Sequence, residues 1–160
     1  MADTTLYSTI EATVKSYVSS YTDAVELRDA SILSRALTPD CRRELVPGSM
    51  FRSLKIPFDP KMDNDAYEKH VSKELVVLEY SKTEILDCSI DTVGVKAAAR
   101  SVHTLKLKEG DAYVVEFCWF LHFTDDGSKI KKITQFVDAT GGSAFLAAMK
   151  EVVSKEPKTE

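Results

Sequence analysis

The side chains in this chain best suited to move a proton or hold an oxygen are Tyr17, Tyr21, His70, Arg43, Arg100 and Gln135. Tyr17 and Tyr21 stand four residues apart, and a phenol turned into a cavity donates a hydrogen bond to a developing oxyanion. The alternative for both is an amphipathic core residue whose hydroxyl reaches water or a carbonyl. His70 titrates near neutrality and serves as acid or base, or sits at the boundary of a helix. Arg100 either pairs with Glu74 or Glu44 or clamps a substrate oxygen. Arg42 and Arg43 are adjacent, so strand alternation sends one inward unless both are solvated. Tyr21, His70 and Arg100 are thus the catalytic candidates. Tyr17, Arg43, Thr104, Phe117, Trp119 and Gln135 are the candidates for holding a ligand. An apolar set with a few hydrogen-bonding groups suits a hydrophobic small molecule.

The totals exclude several alternatives. At 160 residues with 44% apolar content the chain supports one folded core. A single domain is expected over 1–155, with 156–160 as a frayed tail. The net charge of −4, with both signs interspersed, argues against nucleic acid as partner. No apolar run approaches the ~20 residues needed to span a bilayer, and no signal peptide is visible. Cys41, Cys88 and Cys118 lack metal-ligand spacing and are odd in number, which points to the reducing cytoplasm.

Elements that position these residues follow from periodicity. Ile10, Val14, Tyr17, Val18, Tyr21 and Val25 form one helical stripe, opening at the capping-box spacing of Ser8 to Glu11. A short helix over 31–37 precedes a break at Thr38-Pro39-Asp40. A short strand, 41–46, is closed by Pro47-Gly48. Residues 49–62 read as a long connection of the kind that serves as a lid. Tyr67, Val71, Leu75 and Leu78 mark a helix over 66–80, with His70 and Glu74 beside the stripe. A strand over 82–91 leads into three antiparallel strands, 95–108, 113–124 and 129–138, joined by Glu109-Gly110-Asp111 and Asp125-Asp126-Gly127-Ser128. A helix over 144–154 ends the pattern, with Gly142-Ser143 as its cap and Asp138 capping the preceding turn or reaching the cavity rim. This is an α+β domain in which a curved antiparallel sheet wraps a long N-terminal helix. If Trp119 points inward, Phe117 and Leu121 follow, and the expected inward neighbours are Arg100, Val102 and Thr104 on one side and Ile133, Gln135 and Val137 on the other. His103 and His122 are then expected outside. Glu116, Cys118, Phe120, His122, Thr134 and Phe136 would form an outer face suited to a homodimer.

The runs Tyr21–Asp29, Ala36–Asp40, Leu45–Gly48 and Phe117–Asp138 resemble the NTF2-like superfamily and its SnoaL-like branch. Arg100–Thr104 and Lys129–Asp138 are similar to small fungal isomerases of meroterpenoid biosynthesis. That resemblance implies a cone-shaped fold, a homodimer, no metal or cofactor, and acid–base chemistry on a greasy polyketide- or terpenoid-derived substrate. The oxyanion tyrosine of the ketosteroid-isomerase branch falls at Tyr21. Its two acids fall at Leu45 and Trp119, so that mechanism does not carry over. The epoxide-hydrolase branch's aspartate falls at Gln135, which is no base, and its other polar positions fall near Val102 and Thr104. The expectation is a cofactor-independent isomerase, cyclase or hydrolase. The alternative is a small-molecule carrier or a protein-binding adaptor anchored by Met50, Phe51 and Phe58.

Overall fold

The computed structural model describes residues 4–55 and 59–155. Helix α1 (Thr4–Leu27) is followed by a 3-10 turn (Ala30–Ser34), strand β1 (Leu37–Val46), helix α2 (Gly48–Ser53) and a two-residue strand β2 (Lys61–Met62). Helix α3 (Asn64–Val77), strands β3 (Leu78–Asp91), β4 (Lys96–Leu107), β5 (Ala112–Phe123) and β6 (Ile130–Val137), and helix α4 (Ala139–Lys155) complete the chain. Phe58 and the expected tail, 156–160, lie outside the described residues.

The α+β class holds: one six-stranded sheet, in the order β2-β1-β6-β5-β4-β3, carries the helices. Strands β3 to β6 form an antiparallel meander, and β1 joins it by running parallel to β6. Helix α1 lies in the hollow of the sheet and buries Ile10, Val14, Tyr17, Val18 and Val25, the stripe that its periodicity marks. The helix already includes Thr4, ahead of the expected opening at Ser8 to Glu11. Ser8 Oγ and Thr9 Oγ1 donate to the carbonyls of Thr4 and Thr5, so both are interior positions and not caps. True caps sit at Asp63, which accepts from Ala66 N, and at Asp138, which accepts from the amides of Thr140 and Gly141. The second of these starts α4 at Ala139, ahead of the expected Gly142-Ser143. The β4–β5 and β5–β6 turns carry glycines with positive φ, Gly110 at 94° and Gly127 at 74°.

Strand β4 corrects the expected orientation of two candidates. Ala99 pairs with Trp119 and Arg100 with Cys118. Lys106 pairs with Ala112, so five residues, 107–111, make the connection. An odd-membered connection turns odd positions of β4 inward with Trp119, and even positions outward. Arg100 is therefore exposed and Thr104 faces outward, neither entering the hollow; Val102 turns outward with them. The inward set is Ala97, Ala99, Ser101, His103, Leu105 and Leu107, all buried. His103, expected outside, is 3% exposed. On β6 the expected inward set stands, with Gln135 beside Trp119 and Val137 beside Phe117. Met50 and Phe51 are buried rather than displayed, which removes them as an exposed anchor.

Candidate functional site

The hollow between sheet and helices holds a cavity of about 100 Å3. Its walls are mainly apolar: Leu45, Leu105, Val115, Phe117, Val137 and Phe145 are among them, with Met50 and Phe51 from α2. An apolar cavity of about 150 Å3 admits one benzene, so the walls of this one must yield for an aromatic ring to enter. Three polar groupings interrupt this lining.

The first joins α1 to α3. Glu74 is 6% exposed, yet both its oxygens are engaged. Tyr21 donates its hydroxyl to Oε2, and His70 Nε2 lies 3.1 Å from Oε1. The spacing explains the second contact, since residues four apart share a helix face. Burial and the neighbouring Glu74 charge push the Tyr21 phenol well above 10, so it remains a donor. Burial works against charge on His70, but the hydrogen bond and charge of Glu74 prevail and hold its imidazole above the usual 6.5. A carboxylate gripped from one side by a phenol and from the other by an imidazole fixes the ring and stabilises its protonated form.

The second grouping is built on β1 and β6. Arg43 is 5% exposed and Gln135 is 7% exposed. Arg43 Nη1 donates to Gln135 Oε1 at 3.2 Å, and its Cζ lies 3.4 Å from the Tyr67 ring centroid. Tyr17 stands behind, its centroid 5.7 Å from the same Cζ. Burial raises the Tyr17 and Tyr67 phenols, while the Arg43 charge pulls the other way. The hydroxyl of Tyr17 is buried with no hydrogen-bond partner among the described residues.

A third set locks the wall. Trp119 Nε1 donates to Ser101 Oγ at 2.8 Å, and Ser101 Oγ lies 3.1 Å from His103 Nε2. On the other side of the ring, His103 Nδ1 lies 3.3 Å from Thr83 Oγ1. Thr83 in turn meets Thr22 at 2.8 Å. Burial lowers His103 to about 4, so it is neutral at pH 7. Trp119 also stacks on Phe117 at 5.3 Å and meets Tyr17 edge-on at 5.4 Å.

Of the sequence candidates, Tyr17, Tyr21, Arg43, His70, Phe117, Trp119 and Gln135 line the cavity, and Arg100 and Thr104 do not. Sequence reasoning passed over Glu74 as a site residue, although its place one turn after His70 was the available signal. It passed over His103 and Ser101 through the parity of β4. Among the described residues, no three His, Cys, Asp or Glu side chains gather as a metal-binding group.

No family model and no curated protein matches the chain. Solved structures do. BvnE pinacolase from Penicillium brevicompactum superposes with a TM-score of 0.76 at 14% identity, over 94% of this chain and 99% of that one. PrhC from Penicillium brasilianum gives 0.77 at 18% identity, over 94% of each chain. An NTF2-like protein of unknown function from Burkholderia pseudomallei gives 0.59 at 14% identity, over 88% of this chain and 96% of that one. The likeness at these identities is one of fold, and the fold is NTF2-like.

Proposed function

We propose that this chain is a cofactor-independent enzyme that isomerises or cyclises a hydrophobic polyketide- or terpenoid-derived small molecule by acid–base catalysis. The observation that carries this reading is the Tyr21–Glu74–His70 chain set in the wall of an otherwise apolar cavity. His70 is the group that gives and takes the proton. Glu74 holds its imidazolium, and Tyr21 keeps the carboxylate aimed. Across the cavity, Arg43 holds a substrate oxygen, with Gln135 as its orienting neighbour. A pinacolase among the structures of the same fold supports an enzyme reading. The three cysteines are unpaired, which supports a cytoplasmic setting. Phe120 and Phe136 stand exposed on the outer sheet face, which supports a homodimer formed there.

A test that needs no known substrate is exchange of the α-protons of 2-tetralone in deuterated water, followed by NMR. Wild type accelerates exchange, and His70→Asn and Glu74→Gln lower the enzymatic rate by about 10²-fold or more. Exchange in His70→Asn at the wild-type rate removes the proposed role. A carrier is the second reading, favoured by one observation: Leu45 and Trp119, where the ketosteroid-isomerase branch has its acids, line the cavity as apolar groups. Native mass spectrometry then finds a retained small molecule and no catalysed exchange.

A further inference from the structure

Arg43 brings a full positive charge into the cavity wall, and the described residues do not answer it with an anion. Its guanidinium is buried, its hydrogen bond goes to the neutral amide of Gln135, and it makes no ion pair with any described carboxylate. Glu74 is the buried carboxylate of the site, and its oxygens are taken by Tyr21 and His70. When His70 is protonated, that pair is neutral in sum and Arg43 leaves a net positive cavity. An uncompensated buried charge is costly and persists where something supplies the partner. A second donor lies near: the Tyr17 hydroxyl, buried and with no hydrogen-bond partner among the described residues by distance and angle, on a ring that Arg43 also faces. A planar fork beside a phenol is the donor set that a carboxylate accepts.

We propose that the cavity binds the carboxylate of a small organic acid, seated on Arg43 and Tyr17, with its apolar body against Phe117, Trp119 and Val115. This deepens the functional reading above and rests on its premise that the cavity is a ligand site. The acid is held at the β1–β6 wall, leaving the rest of the molecule toward His70 and Glu74. Gln135 is a positioning residue, since its oxygen fixes the guanidinium.

Benzoate, benzamide and methyl benzoate are suitable probes, each titrated into the protein while the indole N–H resonance is followed by NMR. Trp119 is the single tryptophan and lines the cavity, so one peak reports occupancy. Benzoate shifts it saturably and binds more tightly than benzamide or the ester. Arg43→Met weakens benzoate by about tenfold or more, as expected for a hydrogen bond to a charged group, and leaves benzamide unchanged. Arg43→Lys keeps the charge but loses the fork and falls between. Tyr17→Phe, which removes one oxygen only, weakens benzoate by a few-fold. The proposal is overturned if benzoate binds wild type no more tightly than benzamide. It is equally overturned if Arg43→Met and Tyr17→Phe both leave benzoate binding unchanged. Because the readout is binding, loss of this preference tells against the acid ligand alone. Failure of proton exchange to respond to His70→Asn tells against the catalytic reading alone.

Discussion

Two histidines face one cavity with opposite proton preferences, and the reason is the partner each one meets. His70 stands against a carboxylate, and His103 against hydroxyls and rings. The stability consequences run in opposite directions. His70 has a folded pKa above its unfolded 6.5, so its contribution is complete below that value and fades as pH rises through the folded one. His103 has a folded pKa of about 4, below the unfolded 6.5, so its contribution is present above pH 6.5 and is lost as pH falls toward 4. The His103 difference amounts to about 3 kcal/mol across that window. Urea unfolding at pH 7 and pH 5 should therefore show a smaller acid loss in His103→Gln than in wild type. Equal losses would place the acid sensitivity elsewhere.

At the level of elements, the legible and illegible parts divide on whether a local pattern exists. The α1 stripe and the meander turns were readable because period and turn chemistry are written in neighbouring residues. The direction of β4 was harder, since Ala97, Ala98 and Ala99 carry no alternation, and parity depends on the length of a connection. Leu105 and Leu107 against Lys106 and Lys108 held the answer: hydrocarbon at odd positions, charge at even ones. Arg43 was legible to the extent that one of two adjacent arginines must turn in. Glu74 was legible as a neighbour of His70, one turn on, but its burial was not, because a buried acid on a helix looks like a surface one until its partner on α1 is known. Helix α4 offers a test of packing. A Cβ on Gly142 would stand 2.8 Å from Cγ2 of Val137, a branched side chain with little freedom to move. Helix propensity favours alanine by ~1 kcal/mol, but overpacking costs ~1–3 kcal/mol. Gly142→Ala should lower stability by about 1 kcal/mol in urea titrations, and a gain would show that α4 shifts freely over the cavity.

For the molecule as a whole, the sheet has an inner face that lines the cavity and an outer face that exposes apolar groups. Val114, Phe120 and Phe136 are 59%, 50% and 44% exposed on the outer side of β5 and β6. Apolar groups on a sheet face suit a symmetric pairing of two copies. Phe120→Asp combined with Phe136→Lys should halve the mass seen by sedimentation if the homodimer forms there, while far-UV circular dichroism stays constant. A variant that sediments as wild type would move the interface to another surface. Among the described residues, no helix is long and apolar enough to cross a membrane.

The parallel seam between β1 and β6 joins positions roughly ninety residues apart, with Arg43 on one side and Gln135 on the other. Pairings of such long span form late, after chain closure has been paid for in entropy. As the polypeptide leaves the ribosome, β1 therefore waits for its neighbour until nearly everything else has been made. The Arg43–Gln135 contact is completed with the last strand, so a partly synthesised or prematurely ended chain would carry the His70–Glu74 pair of α3 without that part of the cavity wall.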